Sequence, residues 1–144
     1  MTYSLPLIDL LLRGYRWFED GLLTSLEEAG SPEITRAQSL VFAHFDREGT
    51  RPSELARRMG ISRQAVHQTV NELVELGLVE LVPDPVSRRA KLVLLTPLGR
   101  RTVQAALAIF GELEEELARR IGRKSVTELR RTLEADWGAP AVRP

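Results

Sequence analysis

The stretch that decides the fold is RPSELARRMGISRQAVHQTVNELVELGLVEL, residues 51–81, followed by VPDPVSRRAKLVLLTPLG, residues 82–99. Its first part predicts a short helix with one apolar face, formed by Leu55, Ala56 and Met59. Gly60 then allows the chain to turn, and Ser62 offers an N-cap oxygen for a second helix. The apolar residues of that second helix repeat at helical spacing: Val66, Val70, Leu73 and Val74. The pattern predicts a helix-turn-helix.

The polar face of the second helix carries no negative charge, and it consists of Arg63, Gln64, His67, Gln68 and Asn71. Glutamine and asparagine pair with adenine edges, and arginine and histidine reach guanine or phosphate. From a helix in a major groove, all of these side chains are long enough to contact bases. The alternative is an ordinary polar surface, because short motifs of this kind occur without function.

The residues after this helix predict a β-hairpin. Two short apolar strands flank a seven-residue tip, Pro83 to Arg89, that holds two prolines and two arginines. Arg88 and Arg89 suit the phosphates beside a narrow minor groove, although they could also serve only to keep an exposed turn soluble. Because this hairpin follows the polar helix within fifty residues, the combination favours a DNA-binding wing.

The order of these elements, with GISRQAVHQTVNELVELGLVEL (residues 60–81) and DPVSRRAKLVLLTPLGR (residues 84–100), resembles the MarR family of winged helix-turn-helix transcription regulators. The likeness covers nearly the whole chain, and its most specific part is the wing followed by Leu95, Thr96 and Gly99. One position departs from the family pattern. Family wings usually carry an Asp two residues before the arginine, and Ser87 stands there in this chain.

Length and composition favour a single domain spanning residues 1–144. The chain has an ordinary apolar fraction of 43% and no cysteine, which excludes disulfides, thiolate metal sites and a cysteine redox switch. No apolar run is long enough for a membrane span, and the early LIDLLL stretch lacks the layout of a signal peptide. We therefore expect a cytoplasmic protein with no membrane association.

The net charge of zero conceals an uneven distribution. Residues 1–50 carry 4 basic and 8 acidic side chains, residues 51–101 carry 9 and 5, and residues 102–144 carry 7 and 7. The positive charge thus lies on the segment with the predicted helix-turn-helix and wing. Phosphate contacts and the release of counterions would use it there.

Long amphipathic helices are predicted at both ends of the chain. Their apolar stripes, in residues 5–30 and 97–137, are too long for a small winged-helix core to cover. Two copies packed through these helices would cover them in a twofold homodimer, as the resemblance also implies. The predicted fold is therefore mainly α with a small β-hairpin wing, in which residues 34–101 form the DNA-binding lobe and the terminal helices mediate dimerisation. Such a dimer would bind two inverted half-sites about one helical turn apart.

Two sets of site residues follow. The expected contacts to double-stranded DNA are Ser62, Arg63, Gln64, His67, Gln68, Asn71, Arg88, Arg89 and Lys91. The resemblance implies a small aromatic effector that releases DNA from a repressor, with candidate contacts Tyr15, Arg16, Trp17, Phe18 and His44, although Tyr15 and Phe18 also fit a core stripe. Two histidines 23 residues apart make a poor metal set, so no metal is expected.

An enzyme is disfavoured, and neither catalytic residues nor a cofactor is expected, because no Gly-rich phosphate loop, carboxylate pair or activated nucleophile is present. The alternative that remains open is a winged helix used for architectural DNA binding or for protein contacts, without an effector. A titration against inverted-repeat duplexes at two salt concentrations separates these functions.

Overall fold

The computed structural model describes residues 4–141, and its elements follow the predicted order. The elements are α1 (Leu7–Glu28), α2 (Arg36–Phe42), α3 (Pro52–Met59), α4 (Arg63–Glu75), β1 (Val79–Pro83), β2 (Lys91–Leu95), α5 (Pro97–Ile121) and α6 (Arg123–Glu134). The prediction of a mainly helical fold with one antiparallel hairpin is confirmed. None of these helices has both the length and the apolar character that a membrane span needs.

The contacts within the chain divide it into two compact units, of which the first ends at Ile109 and the second begins at Phe110. The core of the first unit is formed by α2, α3, α4 and the hairpin. Its fully buried side chains are Val41, Leu55, Val66, Val70, Leu73, Leu78, Val79 and Val93. Burial of one such side chain contributes about 1.5–3 kcal/mol, so this cluster holds the helix-turn-helix and the wing together.

The turn between α3 and α4 is formed as the sequence predicts. Gly60 adopts a left-handed conformation, with φ of 64°, that ends α3. Ser62 then caps α4, since its hydroxyl oxygen accepts a hydrogen bond of 3.1 Å from the backbone N–H of Ala65. These two residues fix where the second helix starts.

The hairpin is joined to the segment before α3. Val79 pairs with Leu95 and Pro83 with Lys91, and an isolated bridge joins Thr50 to Val93 of β2. This bridge contains two backbone hydrogen bonds, of 3.1 and 2.9 Å. The base of the wing is therefore fastened to the residue that precedes Arg51.

Four local predictions need correction. Val74 is 39% exposed and does not belong to the buried stripe of α4. The apolar spacing after Thr35 predicts a helix that includes His44 and Phe45, but α2 ends at Phe42, so both residues follow it. The tip of the hairpin comprises residues 84–90, because Pro83 still pairs within β1, where the end of a two-stranded hairpin tolerates a residue without an N–H. Helix α6 ends at Glu134, which places Trp137 outside it.

The second unit contains the end of α5 and all of α6. The acidic run of α5 pairs with arginines: Glu115 binds Arg123 at 2.8 Å and Glu114 binds Arg130 at 2.5 Å. None of the residues of α6 is buried in the chain. These pairs are solvent-exposed, so each contributes little to stability, and they mainly orient the two helical segments.

Candidate nucleic-acid interface

Helix α4 presents opposite faces to the core and to solvent. Val66, Val70 and Leu73 are almost completely buried, which anchors the helix from one side. The five polar side chains of the opposite face are all exposed: Arg63, Gln64, His67, Gln68 and Asn71. The structure therefore places the residues predicted to contact bases on one accessible surface. Their contact with DNA stays a prediction.

The tip of the wing is a compact turn. The backbone N–H of Asp84 donates to the carbonyl of Ala90, and the N–H of Ala90 donates to the carbonyl of Ser87, both at 3.0 Å. Arg88 and Arg89 protrude from this turn into solvent. The hydrogen bonds give the turn a defined shape from which its arginines extend.

A groove of about 330 Å³ lies between α4 and the wing. The structure brings four residues of the predicted DNA-binding set to it: Arg63 and His67 from α4, and Arg89 and Lys91 from the wing. The other five predicted residues, Ser62, Gln64, Gln68, Asn71 and Arg88, do not line the groove. The groove is thus a basic channel beside the exposed polar face of α4.

Two polar side chains of the groove were not in the predicted set. Arg51 and Ser53 line the groove beside Pro52, at the N-terminus of α3. Their position at the start of a helix in the basic segment is a weak sequence signal. Their place beside the wing depends on the Thr50–Val93 bridge, which joins residues 43 positions apart in the chain.

The cations of the groove differ in their partners. Arg51 binds the carboxylate of Asp84, with its Nε at 2.6 Å and its Nη2 at 2.5 Å from Oδ2. Within residues 4–141, no ion pair engages Arg63, Arg89 or Lys91. These three cations remain available to phosphates.

Asp84 is charged at neutral pH. The backbone N–H of Val86 donates to its Oδ1 at 2.9 Å, and this bond, followed by the Arg51 guanidinium, lowers the pKa of the carboxyl, although burial acts in the opposite direction. Asp84 is only 5% exposed. A buried carboxylate therefore lies within a surface that is otherwise basic.

Other arginines of the basic segment have structural partners. Arg57 and Arg58 both bind Glu54, and hydrogen bonding to Arg57 is the main reason that the pKa of Glu54 falls to about 2. Arg58 also binds Asp46, at 2.8 Å, and the carbonyl of His44, at 2.8 Å. The positive charge counted along residues 51–101 thus overstates the charge that is free to bind DNA.

The five residues predicted to bind an effector lie on α1 and after α2. Tyr15 and Arg16 are exposed, whereas Trp17, Phe18 and His44 are half-buried. The rings of Trp17 and Phe18 meet edge to face with centroids 5.0 Å apart. The Tyr15 hydroxyl lies 3.5 Å from Glu19, and burial raises the pKa of this phenol. The effector site stays a prediction.

The part of the chain that the structure describes contains no cluster of three or more His, Cys, Asp or Glu side chains able to hold a metal ion. The two histidines lie on different elements. His44 follows α2, and His67 is on the exposed face of α4.

Comparison with known proteins shows which family the chain resembles. Residues 33–90, which include α2, α3, α4, β1 and the wing tip, match the model of the MarR family. The fold agrees over most of the chain with that of the reduced form of MarR from E. coli, with a TM-score of 0.77 and 25% identity, covering 92% of this chain and 97% of that one. Residues 33–90 therefore resemble the MarR family, and the fold of most of the chain is that of MarR.

Further similar proteins extend the comparison. A MarR-family transcriptional regulator from a Rhodococcus species is 28% identical with a TM-score of 0.68, covering 91% of this chain and 94% of that one. The HTH-type transcriptional regulator TcaR of Staphylococcus aureus is 26% identical over 104 residues, or 71% of this chain and 69% of TcaR. An uncharacterised protein of Mycobacterium tuberculosis is 47% identical over 60 residues, or 42% of this chain. That match spans about two fifths (41%) of the mycobacterial protein's length.

Proposed function

We propose that this protein is a transcription regulator of the MarR family that binds DNA in a sequence-specific manner. The proposal rests on the exposed face of α4, which has polar and basic but no acidic side chains. Beside this face is the groove with Arg63, Arg89 and Lys91, which form no ion pair within residues 4–141. Amide side chains such as Gln64 and Gln68 read base edges, whereas Arg89 and Lys91 contact phosphates without regard to sequence. The surface thus combines the two kinds of contact that specific binding requires.

Dimerisation is the second part of the proposal. Several apolar side chains of α1 are exposed in the single chain: Leu7, Ile8, Leu10 and Leu12. In the second unit Leu129, Leu133 and Trp137 are exposed between 43% and 61%. Apolar surface of this extent favours a partner, and the partner that we propose for both sets of side chains is a second copy related by a twofold axis. The homodimer would then bind an inverted repeat.

The third part is repression controlled by a small aromatic ligand. Aromatic and cationic side chains on α1, including Trp17 and Arg16, together with His44, offer stacking surfaces and a partner for an acidic or phenolic group. Such a ligand acts as a switch only if it binds the DNA-free arrangement more tightly than the DNA-bound one. In a Trp137→Phe variant, Trp17 is the single tryptophan, so a panel of aromatic acids and phenols tests this through its fluorescence and through release of bound DNA.

The test of DNA recognition is a fluorescence-anisotropy titration with inverted-repeat and scrambled duplexes at two salt concentrations. We expect Gln68→Ala to cost about 1–3 kcal/mol on the specific duplex and to relax sequence preference. Arg89→Ala should weaken binding to both duplexes and reduce the salt dependence. Gln104→Ala is the matched control, because Gln104 is an exposed glutamine on α5, outside the interface.

The outcomes of this titration also separate the alternative functions. Equal losses on both duplexes for the glutamine and arginine variants would contradict base reading by α4. Steep salt dependence with no sequence preference in the native protein would indicate an architectural DNA-binding protein. Absence of binding to every duplex would indicate a winged helix used for protein contacts.

A further inference from the structure

Asp84 is a buried acid within a surface proposed to bind a polyanion. Its side chain is 5% exposed and binds Arg51, which lines the groove together with Arg89 and Lys91. A negative charge in this place repels phosphate, so its presence costs DNA affinity unless it has another role. The contacts of Asp84 indicate what that role is.

The carboxylate of Asp84 joins the wing tip to the helix-turn-helix. Oδ1 accepts the backbone N–H of Val86 within the turn, at 2.9 Å. Oδ2 accepts a hydrogen bond of 2.6 Å from Nε of Arg51, and Nη2 of the same guanidinium lies 2.5 Å from Oδ2 in the ion pair. Hydrogen bonds between two charged groups are short and about twice as strong as those between neutral groups. One side chain therefore fixes the turn and fastens it to Arg51.

Arg51 is itself held in place. It is the N-cap residue of α3, and the preceding Thr50 is bridged to Val93 at the base of the wing. The wing is consequently attached to the segment before α3 at two points: the Thr50–Val93 backbone bridge and the Asp84–Arg51 ion pair. The Thr50–Val93 bridge lies within the paired strands, whereas the ion pair acts at Asp84, the first residue of the tip, so the second attachment orients the tip.

We propose that Asp84 is a positioning residue for DNA recognition, which fixes the wing tip through Arg51 so that Arg89 and Lys91 face the same duplex as α4. This inference rests on the proposed DNA-binding function. It also accounts for the Arg51 side chain at the groove, which serves as the anchor of the wing. Preorganisation of the wing reduces the entropy that binding would otherwise cost.

The direction in which Asp84→Asn changes the affinity for DNA separates a positioning role from a purely electrostatic one. Asp84→Asn removes a negative charge near DNA, so electrostatics alone predicts tighter binding and a steeper salt dependence. Asparagine keeps an acceptor for the Val86 N–H, but its amide donors cannot accept from the Arg51 guanidinium. Positioning therefore predicts weaker binding despite the gain in positive charge.

The experiment measures the affinity of native protein, Asp84→Asn, Asp84→Ala and the control Glu80→Gln for the specific duplex. Glu80 is an exposed acid on β1, so its neutralisation should leave affinity unchanged or raise it. We expect Asp84→Asn to lower the affinity about tenfold, within the range of coupling between contacting residues, and Asp84→Ala to lower it further because the turn also loses its acceptor. Affinity equal to or above the native value for Asp84→Asn would overturn the proposal.

Hydrogen exchange in the DNA-free protein provides a readout that does not depend on the proposed function. Asp84→Asn should speed exchange of the Ala90 amide in the wing turn while leaving the amides of Val70 and Leu73 in α4 unchanged. Unchanged exchange at Ala90 would overturn the positioning role, even if the native protein bound no duplex. If the asparagine variant fails to fold, Arg51→Lys takes its place, because lysine keeps the charge but loses the contact of the guanidinium Nε and Nη2 with Asp84. Native affinity and native exchange in that variant would equally overturn the proposal.

Discussion

Gly99 tests how closely the hairpin and α5 are packed. A Cβ added to this buried glycine would lie 1.9 Å from the carbonyl oxygen of Leu78, and 3.3 Å from a side-chain carbon of Leu95. The first distance is about 1.4 Å shorter than the close carbon–oxygen approach of about 3.3 Å found in proteins. The same Leu78 carbonyl accepts the backbone N–H of Thr96 at 3.0 Å, so moving it away disrupts the start of α5.

The magnitude follows from opposing contributions. Overpacking costs about 1–3 kcal/mol and a weakened buried hydrogen bond about 1–3 kcal/mol, whereas alanine gains about 1 kcal/mol over glycine in a helix. Gly99→Ala should therefore lower the free energy of unfolding by about 1–5 kcal/mol. Gly111→Ala is the matched control on the same helix, because its Cβ would meet nothing within 4 Å. The control should raise stability by about 0.5–1 kcal/mol.

Urea unfolding of the three proteins measures both effects. A single protein concentration is used, because the apparent stability of a protein that self-associates depends on its concentration. The opposite signs are the important result, since both changes add the same methyl group to the same helix. A Gly99→Ala protein as stable as the native one would refute the close approach of α5 to the residue that precedes β1.

Three other substitutions test separate parts of the molecule. Gln38→Ala should lower the free energy of unfolding, measured in urea, by about 1–3 kcal/mol. The buried Gln38 amide completes the capping box of α2 and donates a hydrogen bond of 2.9 Å to Glu72 of α4. Native stability of the variant would show that the hydrogen bond between Gln38 and Glu72 is dispensable. Glu54→Gln tests pH dependence: its pKa of about 2 lies below the ordinary 4.5, so its ion pairs stabilise the fold fully above pH 4.5 and lose that effect as the pH falls toward 2. The stability difference from native protein should accordingly shrink over that range in unfolding measured at a series of pH values, and a constant difference would contradict the assignment. Ile8→Glu should weaken self-association in sedimentation equilibrium, because the apolar side chain of Ile8 is 72% exposed in the single chain. The control Thr24→Glu, at an exposed polar position of the same helix, should leave self-association unchanged. Equal association of both variants would argue against α1 at the dimer interface.

The helix-turn-helix could be predicted from the sequence because its signals are local. The left-handed Gly60, the Ser62 cap and the spacing of Val66, Val70 and Leu73 each depend on a few neighbouring residues. Periodicity alone could not show that Val74 lies at the edge of the buried face, since a helical stripe has no sharp border. The exact end of β1 at Pro83 was also beyond reach, because pairing with Lys91 decides it.

The basic groove depends on contacts between distant parts of the chain, which explains what sequence analysis missed. Arg51 and Asp84 are 33 residues apart, and no local pattern marks them as partners. Ser87 stands where family wings usually carry an Asp, and this departure does not indicate that Asp84 binds Arg51. Charge counting likewise included Arg57 and Arg58, which the structure pairs with Glu54.

The most direct test of the central claim is selection of bound duplexes from a random pool at physiological salt. A twofold dimer that reads bases with α4 should enrich an inverted repeat whose half-sites lie about one helical turn, or about 10 base pairs, apart. A Gln68→Ala protein put through the same selection should lose preference at one position of each half-site while keeping the repeat. Recovery of no shared sequence, or of a single half-site without its inverted copy, would contradict the account.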